Sequence, residues 1–199
     1  MIEFVKTLYP QTPWGDDGKA YKNTAEQRRL VELKKCRNYN YGKGLRRAVE
    51  SKGYIFINEN RAQDACFEYR VPCEKVPDIL DDDRELLASL GGKRTEVYLY
   101  VSKFVNVFTA FCLRTELETT ENGEVWTFEE KRGFDGDAGI IFDAVRECLT
   151  ARGCEYIDVE ETYGIVPGIG TEFTARGETT LFHLLFTPMH EHCEKKTVI

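Results

Sequence analysis

The dipeptide Asn122-Gly123, set between two long runs of alternating residues, constrains this chain more than any other feature. A type I′ turn needs positive φ at both central positions, which Asn and Gly supply at little cost, so the pair predicts a tight β-hairpin. The flanks agree, because 96–101 and 105–118 are rich in β-branched and aromatic residues. A turn centred on Asn122-Gly123 sets Leu117 against Phe128 and Thr119 against Trp126. On the opposite face Arg114, Glu116 and Glu118 then meet Lys131, Glu129 and Thr127. One side is apolar and the other charged, the pattern of a half-buried antiparallel sheet.

The remaining elements are read around that hairpin. Thr24-Ala25-Glu26-Gln27 spells a capping box and opens a helix to about 37; a second short helix covers about 43–52, with Leu45, Ala48 and Val49 on its apolar side. Residues 54–57 and 65–71 read as strands, and 82–85 cap a helix carrying Leu86, Leu87 and Leu90, ended by Gly91-Gly92. Asp135 or Asp137 caps a helix over about 137–152, whose stripe is Ile140, Ile141, Ala144, Val145, Cys148 and Leu149. Residues 155–159 and 181–186 read as strands. Consecutive hairpins with few crossovers predict an α+β fold, a predominantly antiparallel sheet with the long amphipathic helix packed on it and a helical pair near the N-terminus. A chain of 199 residues fits a single domain over 1–199, divided into a basic helical subregion (19–52), a sheet-based core (54–187) and a polar tail (188–199).

Charge is unevenly placed. Residues 19–52 carry 11 Lys/Arg against 3 Glu, a balance of +8, and the rest carries 16 against 31 acids, a balance of −15, which together give the net −7. Seven cysteines with no C-x-x-C pair read as reduced thiols and predict a cytoplasmic protein. No secretory signal or membrane-spanning run is visible, so no membrane partner is expected.

Five constellations carry chemistry. Glu129-Glu130-Lys131 spells E-x-K on a strand, with Glu116 directly across from Glu129 in the expected register. With three strands, a helix and a strand in order, this resembles the restriction-endonuclease-like core. The resemblance implies a metal-dependent nuclease in which two acids hold a divalent ion and a lysine assists the attacking water. It covers about a fifth of the chain, and the aspartate usual as that family's first acid is replaced by Glu116. His190-Glu191-His192-Cys193, with His183, offers zinc-type donors, but adjacent residues cannot converge without a tight turn, and a polar tail is the simpler reading. Gly164, Gly168 and Gly170 lie in a long connection that could present backbone N–H groups to a ligand, although no Lys-Ser/Thr pair follows. Arg28, Lys35, Lys43, Arg46 and Arg47, with tyrosines interleaved, suit a nucleic-acid backbone, yet a solvated pair of helices is the simpler reading. Asp158 and Glu160 share a strand face.

No motif demands a cofactor or a metal, and no catalytic set with a nucleophile and a base is present. The sequence therefore favours a non-enzymatic macromolecule-binding protein of the cytoplasm, an inhibitor or immunity-type binder of a basic protein, whose acidic bulk steers a cationic partner. A nucleic-acid-binding protein acting through 19–52, or a nuclease using Glu116, Glu129 and Lys131, is the alternative.

Overall fold

The computed structural model describes residues 3–4, 7–9, 25–36, 41–61, 64–75, 84–121, 123–171, 174–175, 177–187 and 196–198. In chain order the elements are α1 (Ala25–Cys36), α2 (Tyr41–Glu50), β1 (Ile57–Asn58), β2 (Cys66–Pro72), α3 (Arg84–Ser89), β3 (Lys93–Ser102), β4 (Val107–Thr120), β5 (Gly123–Lys131), α4 (Gly136–Thr150), β6 (Glu155–Tyr156), α5 (Val159–Thr162), α6 (Leu181–Leu185) and β7 (Lys196–Val198). The strands form one mixed, mostly antiparallel sheet in the order β1-β2-β3-β4-β5-β7. The exception is β6, which runs parallel to the start of β4, pairing Val107 with Glu155 and Phe108 with Tyr156. The α+β class expected from the hairpin pattern describes this architecture.

Side-chain alternation along β3 and β4 explains why the sheet is covered twice. Val97, Leu99 and Val101 join Phe108, Ala110 and Cys112 on one face, packed with Leu45 and Val49 of α2 and with Ile141, Val145 and Leu149 of α4. Tyr100 and Phe111 point the other way, into Leu181, Phe182, Leu184, Leu185 and Phe186, with Leu8, Tyr9 and Leu30. The Tyr9 hydroxyl ties this second layer together by donating to the Leu184 carbonyl at 2.7 Å.

Several expectations change here. The first two helices do not pack as a pair: Leu30 of α1 belongs to one core and Leu45 of α2 to the other, across the sheet. The physical reason is that each buries its own apolar side on a different sheet face, so proximity in sequence does not bring the two together. The Thr24 cap lies outside the described residues. The stretch expected as a strand over 181–186 is instead α6, started by Thr180, whose side chain accepts from the His183 N–H while His183 Nδ1 accepts from the Thr180 N–H. A short run that is apolar but for His183 has no period to separate strand from helix, and this reciprocal cap decides it. The strands expected over 54–57 and 155–159 shrink to two residues each, and the second gives way to α5, capped by Asp158. On α4 the inward stripe is Ala138, Ile141, Phe142, Val145 and Leu149, and Ile140, expected within it, is 47% exposed. In the stretch expected to be a polar tail, 196–198 form β7 against β5; 188–195 lie outside the described residues.

The hairpin register also moves. Thr120 pairs with Gly123, Leu117 with Trp126 and Thr115 with Phe128. The turn therefore sits one residue earlier than Asn122-Gly123, and each pairing shifts by two. A shift of two preserves the faces of a strand whose side chains alternate, so the apolar and charged sides survive although every partner changes. Gly123 opens β5 at φ +123, and the Thr120 hydroxyl donates to its carbonyl at 2.9 Å.

Two glycines set element ends. Gly153, at φ +77, ends α4: its N–H donates to the Thr150 carbonyl and the Cys154 N–H reaches back to that of Leu149, a Schellman closure. Gly92, at φ +79, lies so close to the backbone of β4 that a Cβ would stand 2.7 Å from the Leu117 carbonyl oxygen. Only glycine lets α3 turn directly into β3 beside β4.

Candidate functional site

The expected nuclease triad is Glu116, Glu129 and Lys131. All three residues lie on the charged face of the β4–β5 hairpin. The revised register puts Arg114, not Glu116, across from Glu129, and Thr127 across from Glu116. Glu116 is bridged to Arg114 and, at 3.5 Å, to Lys93; Glu129 is 3.8 Å from Lys131. Each carboxylate thus has a cation beside it, and these side chains are part-exposed. Solvated pairs of this kind hold one another only weakly. Among the described residues no group of three or more His, Cys, Asp or Glu could hold a metal ion. His190, Glu191, His192 and Cys193 lie outside the described residues, and His183 is engaged in capping α6.

The glycine-rich connection packs rather than projects. Ile165 bridges Thr180 in antiparallel fashion, the Val166 N–H donates to the Thr179 carbonyl, and Val166 and Ile169 are buried in the second core. Gly168 takes φ +78, while Gly164 has open space around it. The buried side chains between these glycines give the loop a packing role, which periodicity could not reveal because two residues anchor it and Ile165 stays exposed.

The basic segment divides between the two sides of the sheet. Arg28 is exposed on α1; the side chain of Lys35 lies outside the described residues. Lys43, Arg46 and Arg47 are exposed on α2, opposite Leu45 and Val49. Arg46 bridges Glu50 at 3.3 Å and lies 5.6 Å from the Phe56 ring centroid.

Two constellations were not singled out by sequence. The first is a band of charged groups on the sheet face that carries Tyr98 and Tyr100. Arg94 and Glu96 form an ion pair of 2.7 Å with side chains 4% and 1% exposed. Arg70 bridges Glu59 at 2.7 Å and donates to the Tyr98 hydroxyl. The Tyr163 hydroxyl donates to Glu130 at 2.5 Å, and burial, then the bonded carboxylate, hold the phenol far above its usual range. Glu68, held chiefly by burial and then by Asp64, is raised above the ordinary carboxylate value and accepts from Tyr100 at 3.3 Å. Register explains the grouping: Glu96, Leu113 and Glu130 lie in one row across β3, β4 and β5, and Arg94, Thr115 and Phe128 in the next.

The second is the acidic segment 135–161, which contains Tyr156. Residues 135–161 contain eight Asp/Glu and two Arg, a balance of −6. Asp143 and Glu147 are exposed on α4, Glu155 on β6, and Glu160 and Glu161 on α5. The Tyr156 ring stands 5.1 Å from that of Phe142 and 5.4 Å from that of Phe108, which joins α4 to the sheet. Burial, then Asp158 and Glu161, push its phenol up to about 12, with Arg146 opposing them. Arg146 is itself engaged with Asp143 at 3.3 Å, and Glu160 is bridged to Arg132.

No protein-family model, no curated protein and no solved structure matches the chain. No helix among the described residues is long and apolar enough to cross a membrane.

Proposed function

We propose that this chain is a non-enzymatic, cytoplasmic binding protein that makes charge-complementary contact with a basic protein, in the manner of an inhibitor or immunity-type partner. The observation that carries this reading is the balance of −6 over residues 135–161, whose Asp143, Glu147, Glu155, Glu160 and Glu161 are all exposed. A field of this kind raises encounter rates with a cationic partner and disfavours anionic ones. Seven cysteines with no C-x-x-C pair support a reducing compartment.

The test is a capture experiment from native lysate with the wild type and with Asp143→Lys/Glu147→Lys/Glu161→Lys. The expected result is a stoichiometric basic protein that is released by salt and is lost in the charge-reversed variant. Absence of any such partner, or equal retention by both forms, would overturn the reading.

A second reading rests on Lys43, Arg46 and Arg47, exposed together on the outer side of α2. These cations suit contact with a phosphate backbone; Arg28, exposed on α1 across the sheet, would need a separate contact. A salt titration against 20-nucleotide DNA and RNA tests it. A steep slope supports a phosphate-dominated interface and a flat response removes it. A nuclease using Glu116, Glu129 and Lys131 requires magnesium- or manganese-dependent cleavage that disappears in Glu129→Ala.

A further inference from the structure

We draw no further inference here: the strongest candidate, the band of buried charged side chains around Arg94, Glu96 and Glu130 on the tyrosine-bearing face of the sheet, carries nothing because its cations and carboxylates already engage groups of the chain itself and nothing in the structure shows what ligand would replace those contacts.

Discussion

The two faces of the sheet are stabilised by different physics. Beneath α2 and α4 the contacts are those of apolar side chains: Val97, Leu99, Val101, Phe108 and Ala110 meet Leu45, Ile141, Val145 and Leu149. The other face begins the same way, with Tyr100 and Phe111 against Phe182 and Phe186, and then turns ionic towards β5, where Arg94, Glu96 and Glu130 are buried. An apolar interface asks mainly for volume and shape, whereas a buried charge asks for a specific counter-charge at a specific distance. The first face should therefore tolerate conservative change, and the second should respond to which partner is removed.

The sharpest way to break this contrast is at Arg94. Arg94→Met takes the guanidinium from 2.7 Å beside the Glu96 carboxylate and should cost about 3–5 kcal/mol in chemical denaturation. Arg94→Met/Glu96→Leu, which removes both charges, should recover most of that loss. If the double variant is as unstable as the single one, electrostatics is not what distinguishes this face. On the apolar face Ile141→Ala should cost about 2–5 kcal/mol through the cavity left at a fully buried site, while Ile141→Val should cost only about 0.5–1.5 kcal/mol. A smaller effect is expected for Tyr163→Phe, which deprives the buried Glu130 of a donor; about 1.5–3 kcal/mol is the range for a hydrogen bond to a charged group.

Glu68 gives a pH-dependent version of the same test. Its folded pKa is raised above the ordinary 4.5, so the folded state holds its proton more tightly than the unfolded chain does. Stability from this group is present below the unfolded value and is lost as pH rises through the folded one. Thermal melts of wild type and Glu68→Gln should run parallel at acid pH and diverge above it, with wild type losing ground. An unchanging difference across that window would show that Glu68 titrates alike in both states. The smallest effect belongs to the surface. Arg46→Ala breaks an exposed pair with Glu50 and should change stability by less than about 1 kcal/mol.

What could be read from sequence follows the same division. The apolar face was legible because Val97, Leu99 and Val101 alternate along β3, and Ile141, Val145 and Leu149 recur at helical spacing along α4. Register was not, since a turn displaced by one residue leaves every face intact while changing every partner of β4 and β5. The buried charges were hidden by their own chemistry. Arg94 and Glu96 look like a solvated strand end, and only their shared parity with Tyr98 and Tyr100 marks the side they occupy. The acidic excess was visible as a net imbalance, but which of its carboxylates stay exposed was not, because burial along α4 and α5 is set by Ile141 and Val145 packing in one core and Val159 in the other. The divided N-terminal helices were illegible for a related reason: each shows an apolar side, and no local signal names the face that receives it.

The parallel seating of β6 beside the first residues of β4 has a kinetic side. The far half of β4 acquires its neighbour through a two-residue turn, a local event with little chain to close. Its near half must wait until the whole of α4 has been laid across the sheet before β6 can dock. Closing so long a segment is entropically costly, and non-local pairings of this kind slow folding. On this argument the early end of β4 is expected to gain its second neighbour last.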